Sequence, residues 1–195
     1  MSARDQILKA IEANQPAFRE APLISLEEVT SYDDPVLKFI ATLEGIGGKV
    51  ERIKNLDPVQ AVLQGLMQEG LTVADMVMLS NNAVPGYYAG KKAEELENIH
   101  TALLQAEWGV AENGAVWIPE SKMGNRLIPF ICQHLLLVLS ASRILSTMHH
   151  AYEKINGFEE GFGVFLAGPS KTADIEQSLV IGAHGARSLV VYLLD

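Results

Sequence analysis

The chain has 195 residues, 48% of them hydrophobic and 20% charged, with 15 basic against 24 acidic side chains and a net charge of −9. That length suits one domain with a sizeable core, and the acidic balance is the wrong sign for a nucleic-acid footprint. No apolar run approaches the roughly 20 residues that span a bilayer, and one cysteine, Cys132, excludes an internal disulfide and the four thiolates of an iron–sulfur cluster.

Ser2 and Asp5 stand at capping-box spacing ahead of Ile7, Leu8 and Ile11, which predicts a helix to about Ala13. Arg4 and Asp5 fall where a secretory signal needs its apolar stretch, so a cytoplasmic protein is expected. Pro16 and Pro22 bracket a loop, and residues 23–34 are the best linker candidate. A helical arm over 1–34 and an α/β domain over 35–195 are therefore expected. The domain opens with a helix from Pro35 that ends at the glycines 45–48, followed by an edge or half-buried strand over 49–53. Asp57-Pro58 starts another helix, with Asp57 as N-cap, running to Gly70. A short buried strand is predicted at 76–79, a turn-rich loop at 81–90 and a helix at 91–105.

Two apolar strands at 107–111 and 115–118 meet at Asn113-Gly114, the strongest short hairpin signal a sequence offers. A strand at about 134–139 and a helix at 142–155 lead to the C-terminal unit. There a buried strand, 162–167, stops at Gly168-Pro169 and turns through Ser170, Lys171 and Thr172. A short helix from about Asp174, a tight turn at Gly182, His184 and Gly185, and a last strand over 189–194 complete the chain. Helices alternating with short, continuously apolar strands predict a three-layer α/β domain with a mixed, mostly parallel sheet.

The two Gly-marked turns gather hydroxyls, a lysine, two carboxylates and a histidine near one strand end. In open α/β sheets such a place, beyond the carboxyl ends of the strands, is where ligands bind. Gly168, Ser170, Lys171 and Thr172 are the candidate anion-binding residues, and the same hydroxyls also suit bonds to their own backbone. Asp174 caps the short helix or meets a ligand, and Glu176 either complements the helix dipole or acts as a general acid/base. An unperturbed imidazole titrates at about pH 6.5, so His184 suits proton transfer; a plain turn residue is the competing reading. Arg126 reads as a bidentate clamp for a carboxylate or phosphate, or as half of a surface ion pair. Glu112 is a strand-end polar residue just before the turn glycine Gly114, which is also a ligand-binding candidate. Cys132, among Phe130, Ile131 and Leu135, reads as a buried small hydrophobe. No His and acidic residues stand at a metal-ligand spacing. Leu166 occupies the place where a dinucleotide fingerprint needs Gly or Ala.

The segments GPSKTADIE and GAHG before a terminal apolar strand, GVAENGAVW at 109–117 and NRLIPFICQH at 125–134 resemble the LUD (lactate-utilisation) domain family. The opening SARDQILKAI is similar to that family's first helix. The chain departs from the family pattern at Asn113 and Ala115, where Thr is usual, at Lys171, where Arg is common, and at Ala186, where Pro is usual. The resemblance implies a fold similar to the ribose-phosphate isomerase, glucosamine-phosphate deaminase and CoA-transferase superfamily. It also implies a component of an L-lactate utilisation system, which oxidises lactate to pyruvate. With one cysteine, such a component would bind a small anionic ligand or the iron–sulfur protein subunits rather than carry a cluster; its cofactor is not specified. The alternative is a stand-alone enzyme on an isomerase-, CoA-transferase- or cyclo-ligase-like scaffold, acting on a phosphorylated or acyl ligand. In that reading Glu112 is a candidate nucleophile, by analogy of fold alone.

Overall fold

The structure is a computed structural model that describes all residues except 1, 21, 23, 79–83, 85, 157–159, 172–180 and 183. In chain order the elements are α1 (Ala3–Ala13), α2 (Pro35–Gly45), β1 (Lys49–Ile53), α3 (Asp57–Gln68), β2 (Val73–Asp75), α4 (Ala93–Leu96), β3 (Thr101–Gln105), β4 (Trp108–Val110), β5 (Ala115–Pro119), α5 (Ile128–Ile131), β6 (His134–Ser140), β7 (Ile144–Leu145), α6 (Met148–Ile155), β8 (Gly163–Leu166) and β9 (Ser188–Leu194). The central sheet is parallel throughout, in the order β1-β9-β6-β3-β2. A second sheet, β7-β4-β5-β8, holds the antiparallel pairs β4–β5 and β5–β8.

The layers follow from strand periodicity. Along β6, Leu135, Leu137 and Leu139 point to one core, while Leu136 and Val138 point to the other. Both faces of the sheet are covered, which is why its strands read as unbroken apolar runs. On one side, Val59 and Leu63 of α3 pack with Ile53, Leu103 and Tyr192. On the other, Phe39 and Leu43 of α2, both fully buried, pack with Val116 and Ile118 of the second sheet. That sheet's outer face is closed by α6 through Ala151, which meets Val110 and Ala115. The α/β class and the mostly parallel central sheet are as the sequence indicates, but the hairpin builds a sheet of its own instead of joining the central one.

Several boundaries differ from expectation. The helix expected over 91–105 is confined to Ala93–Leu96, and Thr101–Gln105 is a strand in the middle of the sheet. Thr101 to Leu104 are all buried, so burial on two faces outweighed helical propensity there. The strand expected at 76–79 lies earlier, at Val73–Asp75. The helix expected from Ser142 starts only at Met148, behind a 3-10 turn at Ala141–Arg143 and the short β7. Asp57 is the first residue of α3 rather than its cap, which is Leu56. At the N-terminus the Ser2–Asp5 capping box is formed in both directions, yet α1 buries none of its residues. Among the described residues no helix is long and apolar enough to cross a membrane.

Candidate functional site

Strand β8 ends against the C-terminus of α2. Gly168 adopts φ +73°, and a Cβ there would lie 3.1 Å from the carbonyl oxygen of Ile46, so this turn needs a glycine. The chain is then stitched to the turn before β9. The Ser170 N–H donates to Ala186 O at 2.8 Å, and Ser170 O accepts the Gly182 N–H at 2.9 Å. Lys171 and Ile181 form an isolated antiparallel bridge. Between these turns lies a cavity of about 270 Å³, whose wall includes Phe130, Gly168, Ser170, Lys171, His184 and Gly185.

The cavity is not at the carboxyl ends of the central strands. Its floor includes Leu135 and Leu189, register partners one residue inside the amino ends of β6 and β9. The cavity lies past the carboxyl end of β8, the strand end the sequence points to, but at the amino rather than the carboxyl ends of the parallel strands. Strand β8 belongs to the second sheet, and its carboxyl end meets the amino ends of the parallel strands. A neighbouring cavity of about 320 Å³ shares Phe130, His184 and Gly185 and adds Glu97, Cys132, Gln133 and Arg187. The two adjoin around His184, and this pair of cavities is the groove.

The charged side chains on its wall are Lys171 and Arg187, which donate, and Glu97, which accepts. Lys171 Nζ donates to Ile46 O at the end of α2, which leaves two of its three hydrogens for a ligand. Arg187 is exposed, is fixed by its N–H to Gln133 O at 2.8 Å, and has no ion-pair partner among the described residues. At the amino end of β6, outside the lining of either cavity, His134 Nδ1 lies 2.8 Å from Ser188 Oγ, and its ring centroid is 4.7 Å from that of His100. Burial first, then the neighbouring His100 and Arg187, holds the His134 imidazole below its ordinary pKa, so it is neutral around pH 7. Cys132 is 1% exposed and its thiol is pushed up to about 12 by burial, which makes it a poor nucleophile or metal ligand. Among the described residues no three His, Cys, Asp or Glu side chains are placed to hold a metal ion.

The other sequence candidates lie elsewhere. The Glu112 Oε2 accepts the Met148 N–H at 2.9 Å, at the start of α6. The helix's own N-cap, Thr147, turns its hydroxyl to His150 Nδ1 instead, so Glu112 caps α6 from a distance. Gly114 forms the hairpin turn at φ +71° and packs on the backbone of Leu43. Neither lines the groove. Arg126 forms a bidentate pair with Glu120 at 2.6 and 2.7 Å and lies over the Phe162 ring. It is at the far end of the β5–β8 pair, since Glu120 follows Pro119, the partner of Gly163 where β8 begins. Its surface-pair reading is the one the geometry shows. Thr172, Asp174 and Glu176 lie outside the described residues. Arg187, Gln133 and His100 were not singled out from the sequence. Arg187 alone had a signal, as a cation three residues after His184 in the same Gly-rich turn.

Comparison with known proteins supplies the family. The LUD domain model matches residues 36–194. An uncharacterized protein of Neisseria meningitidis serogroup B is 34% identical over 103 residues, 51% of this chain and 44% of its own length. Lactate utilization protein C of Bacillus pumilus is 28% identical over 116 residues, 53% of this chain and 48% of its own. The matched region thus spans about half the length of these curated relatives. The crystal structure of a DUF162 family protein from Deinococcus radiodurans superposes with a TM-score of 0.61 at 14% identity, covering 86% of this chain and all of that one, a likeness of fold. With the family model matching nearly all of the chain beyond its N-terminal arm, the chain belongs to the LUD domain family.

Proposed function

We propose that this chain is a component of an L-lactate utilisation system that holds a small carboxylate or similar anion in the groove at the amino ends of β6 and β9. The carrying observation is that Ser170, Lys171, His184 and Arg187 border two adjoining cavities that share His184 and Gly185. Lactate and pyruvate are small carboxylates. A guanidinium pairs with a carboxylate bidentately, an ammonium adds a point charge, and a hydroxyl meets the α-oxygen. Support for the pathway comes from relatives named lactate utilization protein C. Cys132 is the only thiol of the chain and is buried, so electron transfer through iron–sulfur clusters falls to partner subunits in this reading.

Growth of the source organism on L-lactate as sole carbon source tests the role. Deletion of this chain should abolish or slow that growth while leaving growth on pyruvate unchanged. Restoration by the wild type but not by a Lys171→Met, Arg187→Met double variant would tie the role to the groove. Equal growth of the deletion strain on both carbon sources would refute the proposal.

A further inference from the structure

Past the carboxyl end of the edge strand β2 lies a separate cavity of about 230 Å³. Met76, Met78, Tyr87, Tyr88, Lys122 and Gly124 are among its lining residues. Its position is fixed by β2, because the Met76 N–H, just past the end of that strand, donates to Leu103 O at 2.9 Å. The walls are tied together. The Tyr88 hydroxyl donates to Val73 O at 3.3 Å, and the Asn125 side-chain amide donates to the carbonyls of Tyr88 and Lys91 at 2.9 and 3.0 Å. Gly124 adopts φ +69°, and a Cβ there would lie 2.3 Å from Met76 Sδ. Met78 has φ +64°, the only non-glycine residue with positive φ among those described, and such strain concentrates at ligand clamps.

The chemistry of this wall is aromatic and thioether, with one cation. Tyr87 and Tyr88 meet edge to face at 4.9 Å, and the Lys91 ammonium covers Tyr87 at 3.5 Å from its centroid. Rings and thioethers pack favourably against a planar π-system. Lys122 Nζ is 2.7 Å from Glu107 Oε2, while the other oxygen of Glu107 is taken by Arg143. One carboxylate between two cations leaves Lys122 with charge and donors to spare. Of the other carboxylates nearby, Glu120 is paired with Arg126, Asp75 accepts the Val77 N–H, and Glu160 accepts the backbone and hydroxyl of Ser121. The volume is below the roughly 300–1,000 Å³ of drug-sized sites, which suits a single ring and its substituent.

We infer that this cavity binds a small planar aromatic molecule bearing one anionic group, with the ring on Tyr87, Tyr88 and the two methionines and the anionic group on Lys122. The site is independent of the groove at the other end of the sheet. Saturation-transfer NMR with benzoate, acetate and benzyl alcohol tests it on the full chain. Benzoate should bind measurably more tightly than either acetate, which lacks the ring, or benzyl alcohol, which lacks the charge. Lys122→Met should weaken benzoate by about tenfold or more, the loss of one charge-assisted hydrogen bond. Tyr87→Leu, at an exposed position, should weaken it as well, and both losses should persist in a Lys171→Met background, where carboxylate binding in the groove is removed. No transfer to benzoate, affinity equal to acetate, or undiminished binding in both site variants would overturn the inference.

Discussion

Gly114 was legible in the sequence because Asn-Gly between two apolar runs admits few conformations, and the structure holds it at φ +71°. Its intolerance has a second cause that no local reading gives: a Cβ would come within 2.9 Å of the Leu43 backbone. Gly114→Val should therefore destabilise by about 2 kcal/mol or more, combining left-handed strain with a clash. Urea denaturation checks this, and an unchanged midpoint would contradict the turn's role. His134 makes a second case. Its pKa is depressed on folding, so the unfolded chain binds that proton more readily. The site costs nothing above the unfolded value of about 6.5, starts to destabilise as pH falls through it, and reaches its full penalty below the folded pKa. His134→Gln, which keeps a partner for Ser188, should flatten the fall in Tm below that pH. Parallel curves for the two proteins would rule out His134 as a source of the pH dependence.

At the scale of elements, the capping box of α1 and the bounds of α2 could be read from adjacent residues, since the signals lie within one turn. Two features could not. The stretch 101–105 is apolar without a decisive period, and only pairing with β2 and β6 makes it a strand. The cap of α6 comes from Glu112, 36 residues before the N–H it accepts. Glu112→Ala should cost about 0.5–2 kcal/mol, the range for a lost N-cap, and Glu112→Gln should recover most of it. Thermal denaturation of both variants decides; equal stability of Ala and wild type would remove the capping role. The N-terminal arm offers a complementary test. All of residues 2–20 are exposed, so their removal should shift Tm by less than about 2 °C, given roughly 2–4 °C per kcal/mol at this size. A drop of many degrees would show that the arm packs on the domain.

For the whole molecule, the α/β class was legible from alternating helices and apolar strands, and the family from motifs spread along the chain. The placement of the site was not. Whether β8 joins the central sheet depends on its pairing with β5, nearly 50 residues earlier, and that pairing turns its end toward the amino ends of β6 and β9. The consequence is that Lys171 and Arg187 border two adjoining cavities, with Glu112 and Arg126 outside both. The most direct test is isothermal titration calorimetry of the purified chain with L-lactate, pyruvate and inorganic phosphate. The account predicts one site for at least one of these anions, weakened about tenfold or more by Arg187→Met and by Lys171→Met, with Tm unchanged in both variants. Absence of binding to all three, or equal affinity in wild type and both variants, would contradict it.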